Sequence, residues 1–119
     1  MDRTEWTTAL FASVDAKNTP RFLTFLSDDA AFRYANAPAS VGKAAIGAAV
    51  DAFFAMIRAS KHDILNAWAH PDHVIVQGNV TYTRHDGRAL TLPFANILGT
   101  RGGLIHDYRI YIDATPLFV

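Results

Sequence analysis

Apolar positions along this chain switch from a helical to an alternating spacing near its middle. Trp6, Leu10 and Val14 recur every four residues and predict a helix from about Thr4 to Ala16. Asn18-Thr19-Pro20 pairs a capping side chain with a proline in the first turn, which predicts a short second helix to about Leu26. Ser27-Asp28-Asp29 ends it as a turn, Ala30 to Tyr34 reads as a short strand, and Ala35 to Gly42 as a loop. Ile46, Val50, Phe53, Phe54 and Ile57 mark the buried face of a third helix. Its Ala44, Ala45, Gly47, Ala48 and Ala49 are small enough to let it approach a sheet closely.

After Ser60 the period is two. Strands are expected over Ile64–Ala69, Val74–Arg84, Ala89–Thr100 and Leu104–Asp113. They are separated by turns at His70-Pro71-Asp72, Asp86-Gly87 and Arg101-Gly102-Gly103, and the Asp86-Gly87 turn is expected to take positive φ at both residues. Helices first and an antiparallel meander second argue for one α+β domain over residues 1–119, with three helices closing a curved sheet into a cone. Pro93 cannot donate to a ladder, so a bulge or a local edge is expected there.

Within that pattern Asn96 stands out. Leu92, Phe94, Asn96 and Leu98 alternate on one strand face, and an amide in such a row costs free energy unless something bonds to it. A mostly apolar pocket with a few convergent polar groups explains it, with Tyr82 and Tyr108 placed on the same face by neighbouring strands. An amide satisfied by bulged backbone near Pro93 is the alternative.

Composition narrows the partners. Eleven basic residues balance eleven acidic ones, so no field favours nucleic acid or an anionic membrane. The absence of cysteine excludes disulfides and thiolate chemistry and favours a cytoplasmic home. Met1-Asp2-Arg3-Thr4-Glu5 does not read as a signal peptide, and the apolar stretch from Ala44 to Ile57 is too short to span a bilayer.

The layout, with Asp28-Asp29-Ala30, then Gly42-Lys43-Ala44-Ala45-Ile46, then Tyr108-Arg109-Ile110-Tyr111-Ile112-Asp113, resembles the nuclear transport factor 2-like superfamily and its SnoaL-like branch. That branch includes polyketide cyclases, ketosteroid isomerases and limonene epoxide hydrolases. The resemblance covers almost the whole chain. It implies a SnoaL-like pocket protein, an isomerase or cyclase acting on a hydrophobic carbonyl or ring compound. A non-catalytic ligand-binding module and an interaction domain are the alternatives.

Position by position the match to those enzymes is incomplete. Tyr34-Ala35-Asn36 matches the Tyr-x-Asn pair with which limonene epoxide hydrolases hold water. Gly78, Val80 and Ile110 stand where those enzymes carry an arginine and two aspartates, and Ile110 also falls near the acid–base aspartate of SnoaL-like cyclases. Tyr34 occupies the place of the proton-shuttling aspartate of ketosteroid isomerases, and Asn96 lies near their protonated aspartate. That protonated aspartate is a standard instance of a neutral acid donating a hydrogen bond. Asn96 can donate in its stead.

The acid–base group is therefore expected elsewhere. Imidazole is the side chain whose ordinary pKa lies near neutrality, and His106 shares strand parity with Tyr108 and Ile110. If the protein is an enzyme, His106 as base, with Asn96 and Tyr34 polarising an oxygen, is the expected catalytic set; the alternative is that His106 is a rim or surface histidine. Asn36, Trp68, Tyr82, Phe94, Tyr108 and Ile110 are the expected ligand contacts, unless Tyr34 and Asn36 merely cap the loop and the phenylalanines at 32, 53, 54 and 94 fill the space. His70 and His73 have no evident third ligand, so no metal or other cofactor is expected. Asp107, Arg109, Tyr111 and Asp113 alternate on the opposite face with Ile75, Thr81, Ala95 and Ile97. The resemblance implies a homodimer through that face.

Overall fold

The computed structural model describes residues 3–119. Met1 and Asp2, the first residues of the stretch tested against a signal peptide, lie outside the described residues. The element order is α1 (Arg3–Asp15), α2 (Thr19–Leu23), β1 (Leu26–Tyr34), β2 (Ser40–Val41), α3 (Lys43–Met56), β3 (Ala59–His70), β4 (His73–Thr83), β5 (Ala89–Arg101) and β6 (Leu104–Ile112), with a closing 3₁₀ turn over Thr115–Phe118. One six-stranded sheet runs β2-β1-β6-β5-β4-β3, antiparallel except for the β1–β6 pair. This is the expected α+β fold, with the helices over one face of a curved, open sheet. No helix among the described residues is long and apolar enough to cross a membrane.

Local chemistry sets the element ends. Lys17 takes a left-handed φ of 54° after α1, and its ammonium bonds to the Ile57 carbonyl at 2.6 Å, tying the end of that helix to the residue that follows α3. Asn18 caps α2 by accepting from the Arg21 amide at 3.1 Å. That helix stops at Leu23, short of Leu26, because β1 begins earlier than its apolar pattern suggests. Ser27, Asp28 and Asp29 belong to this strand and not to a turn. On α3, Ile46, Val50 and Phe54 are buried, while Gly47 sits against Leu23 and Thr19 of α2 rather than against the sheet.

The two glycine-containing hairpin turns are built differently. Gly102 and Gly103 both take positive φ in a two-residue hairpin between β5 and β6. At Asp86-Gly87 only the glycine does so, and the Gly87 amide returns to the Arg84 carbonyl at 3.0 Å in a three-residue loop.

Two bulges decide which side chains face inward. On β3, Ile64 pairs with Gly78 and Asn66 with Gln77, so Leu65 is an extra residue. On β6, Ile105 pairs with Thr100 and Asp107 with Gly99, so His106 is extra. Pro93 needs no bulge. Its pairing to β4 is unbroken, and it lies just outside the stretch of β5 that pairs with β6, at a local edge. The inner face and the helices share one core, in which Leu10, Leu26, Ile46, Ile57, Val74, Val76, Leu98 and Ile105 are fully buried.

Candidate active site

β3 starts at Ala59, five residues before the alternation around Ile64 suggests, and this extension carries chemistry. Ser60, His62 and Ile64 alternate toward the helices, with Ser60 opposite Tyr82 and His62 opposite Val80. Across from them the last turn of α1 supplies Asp15. Its carboxylate accepts from His62 Nδ1 at 2.6 Å, from the Ser60 hydroxyl at 3.0 Å and from the His62 backbone amide at 2.9 Å. An ionised carboxylate only accepts, so Nδ1 carries a proton and Nε2 is the ring nitrogen the aspartate leaves unengaged. The rings of Phe11 and Phe94 flank the imidazole at 4.9 and 5.3 Å, fixing its plane.

Asp15 is ionised because of these bonds. Burial raises its carboxyl, but the His62 side chain, backbone amide and charge, together with Ser60, outweigh that and leave it below its ordinary 3.8. The aspartate holds the ring in place.

His62 lines a cavity of about 210 Å³ between the sheet and α3, walled mainly by Phe22, Phe32, Phe53, Phe54, Phe94 and Val50. Two further polar stations open into it. The Tyr34 and Tyr82 hydroxyls meet at 2.9 Å. One phenol donates to the other, so one proton is left for a guest. Burial raises both phenols above 10, more than their mutual bond offsets at Tyr34, so they stay protonated and act as donors. At the second station Asn96 Nδ2 donates to the Tyr108 hydroxyl at 3.4 Å, and Asn96 Oδ1 is buried without a partner. Turning the amide over would exchange its two ends and leave the nitrogen over instead, so one polar atom of Asn96 stays unpaired either way.

Among the residues expected from the sequence, the cavity gathers Tyr34, Tyr82, Phe94, Asn96, Tyr108 and Ile110. Three others lie elsewhere. His106 does not line the cavity. As the extra residue of the β6 bulge it turns with Asp107 to the outer face, where its ring lies against Gly99. Trp68 is half exposed on the outer face opposite Ile75, because the Leu65 bulge reverses the phase of β3. Asn36 opens on a neighbouring outer hollow, which Tyr34 also lines, rather than on the inner cavity. Of the positions where the arginine and aspartates of those enzymes are replaced, Val80 and Ile110 line the cavity, and Gly78 is buried under the β3 bulge.

The residues missed are Asp15, Ser60 and His62. Two signals in the chain point to them. Phe11 and Asp15 are four apart on the first helix and share a face, and Ser60, His62 and Ile64 keep period two before the bulge. No group of three or more histidine and acidic side chains able to hold a metal occurs among the described residues, and the His70 and His73 rings simply stack at 4.4 Å.

Several solved structures share this fold. A protein of ketosteroid isomerase-like fold from Catenulispora acidiphila, in complex with trimethylamine, is 23% identical, matching 88% of this chain and 82% of that one with a TM-score of 0.81. A candidate polyketide cyclase from Xanthomonas campestris is 20% identical over 96% of this chain and 92% of its own, with a TM-score of 0.86. An LEH-like epoxide hydrolase from M. tuberculosis is 12% identical over 94% and 83%, with a TM-score of 0.78. No curated protein matches the chain. The SnoaL-like domain profile matches residues 7–108, from the second turn of α1 through Tyr108, and with the cone-shaped sheet it makes this chain a member of the SnoaL-like family of the NTF2-like superfamily.

Proposed function

We propose that this protein is an acid–base enzyme that moves a proton next to the carbonyl of an uncharged, mostly apolar ring compound, as an isomerase or a cyclase. The observation that carries this reading is the 2.6 Å bond by which Asp15, outside the cavity lining, holds His62 at the wall of an apolar cavity. A pocket that only binds apolar molecules gains nothing from a half-buried carboxylate, whose desolvation costs free energy. A base oriented by a third group is the arrangement proton transfer requires.

In this reading His62 Nε2 takes a proton from the carbon beside the carbonyl. The C–H electron pair becomes an enolate, and the proton of the Tyr34–Tyr82 pair meets the oxygen that gains charge. Asn96 and Tyr108 fix the ring. Returning the proton to a different carbon completes an isomerisation. Attack of the enolate carbon on a second carbonyl, with the proton delivered to the new alkoxide, closes a ring. Preorganised donors aimed at developing charge supply much of the acceleration in such sites. The names of the cyclase candidate and of the ketosteroid isomerase-like fold agree with this class. We also infer a homodimer through the outer sheet face.

Solvent deuterium exchange into the α-carbon of β-tetralone, followed by NMR, tests the reading. The wild-type protein should accelerate exchange over buffer. His62→Ala should lose about 10²–10⁴-fold of that rate, as removal of a general base does. Asp15→Asn should lower the rate while β-tetralone still binds, and His106→Ala should leave it unchanged. Exchange no faster than in buffer, with β-tetralone bound, would favour a non-catalytic binding module.

A further inference from the structure

The inner cavity shares Tyr34, Ala37, Phe53 and Ile112 with a second hollow of about 470 Å³ beside it. Asn36, Asp113, Thr115 and Phe118 complete that second wall, and none of them lines the inner cavity. We propose that this outer hollow is a second subsite, which binds the far, hydroxyl-bearing end of the molecule whose ring occupies the inner cavity. The inference rests on the inner cavity as the ring's site, and adds that the natural substrate is elongated and amphipathic.

Size supports it first. The inner space exceeds the roughly 150 Å³ that holds a benzene ring, but falls below the roughly 300–1,000 Å³ of sites for larger ligands. The two hollows together enter that range.

The outer hollow is also preformed. One wall is the loop after β1, where Ala35 takes a left-handed φ of 53° and its amide bonds to the Ile110 carbonyl at 2.9 Å. The Arg33 side chain holds the same loop through the Ala37 carbonyl at 3.1 Å. The facing wall is the segment after β6. The Thr115 amide bonds to Asp113 at 3.1 Å, and Arg84 donates to the Val119 carbonyl at 2.6 Å. Both walls therefore stand in place before a guest arrives, which lowers the ordering cost of binding.

The chemistry of the lining points to the guest. Phe118 is 55% exposed beside Phe53, an apolar surface that a ligand would cover. Asn36 is exposed, and the Asp113 carboxylate has an oxygen not used by Thr115. Acceptors beside aromatic rings suit a neutral chain that carries hydroxyl groups. Among the described residues no lysine or arginine lines either hollow, which favours a neutral tail over an anionic one.

Calorimetric titration of the full chain with butylnaphthalene and with naphthylbutanol tests this, since the pair differs by one terminal hydroxyl. The alcohol should bind about two- to tenfold more tightly than the hydrocarbon, the range of one net hydrogen bond. Asn36→Ala and Asp113→Ala, which remove the two acceptors, should each move that ratio toward one. Equal affinities in the wild-type protein, or a ratio that survives both substitutions, would overturn the subsite and leave the inner cavity standing. Failure of both compounds to bind would sink the subsite and the ring-binding cavity together.

Discussion

A carboxylate inside an apolar site has to be compensated, and Asp15 is compensated three times, by the His62 ring, the His62 amide and Ser60. Replacing Asp15 with asparagine should therefore destabilise the protein by roughly 1–3 kcal/mol at neutral pH, the range for hydrogen bonds to charged groups. The dependence on pH has a defined sign. The folded pKa lies below the ordinary 3.8, so the stabilisation is complete above the unfolded value and disappears as pH falls through the folded one. Denaturant titrations near pH 7 and pH 3 should show a gap between wild type and variant that shrinks in acid. The tyrosines behave in the opposite sense. Burial holds Tyr34, Tyr82 and Tyr108 above 10, so above that pH the folded state retains more protons than the unfolded one. Stability should fall as pH rises past 10, and the phenolate absorbance of these residues should appear only with unfolding. Full ionisation of all the tyrosines while the circular dichroism remains native would contradict their burial.

At the scale of elements, period and turn chemistry carry far in this chain, and their limit is the bulge. The helical face of Ile46, Val50 and Phe54, the cap at Asn18 and the strands either side of Asp86-Gly87 all follow from local rules, and so does the α+β order. On β5 the alternation from Leu92 to Leu98 runs without interruption, so Phe94 and Asn96 face inward as their spacing implies. His106 and Trp68 do not, although each has the parity of inward neighbours. An extra residue at a bulge depends on how two strands register across space, and alternation along one strand does not reveal it. The other omission, the Asp15–His62 pair, joins residues 47 apart in sequence, and only tertiary packing of α1 on β3 unites them. Gly78 is the one local trace of the β3 bulge. A Cβ there would overlap the Asp63 carbonyl oxygen, a backbone atom that cannot swing aside. Gly78→Ala should cost about 1–3 kcal/mol or more by denaturant titration. An unchanged midpoint would mean that β3 shifts freely at Leu65.

The whole molecule presents two unlike faces on one sheet. The inner face holds the cavity. On the outer face Trp68, Ile75 and Ile97 fall in one register row across β3, β4 and β5, and the row ends on β6 at Arg109, which is paired with Asp107 at 3.0 Å. Tyr111 lies one row away on the same face, half exposed. Large apolar side chains gathered across three strands are unlike the isolated ones common on a monomer, and a patch of this kind marks an interaction surface. A two-fold axis through it would set the same row of one protomer against the other, the self-complementary contact of a closed dimer. Sedimentation should then give a species of twice 13.1 kDa, and Ile97→Glu should reduce it to the monomer. Ile97 alternates with Asn96 and Leu98, so the substitution points away from the cavity, and binding of β-tetralone should survive dissociation. A wild-type protein that stays monomeric at tens of micromolar would remove the dimer without touching the site. Loss of β-tetralone binding in a folded Ile97→Glu monomer would show instead that the second copy holds the cavity open, and that the two faces of the sheet act as one structure.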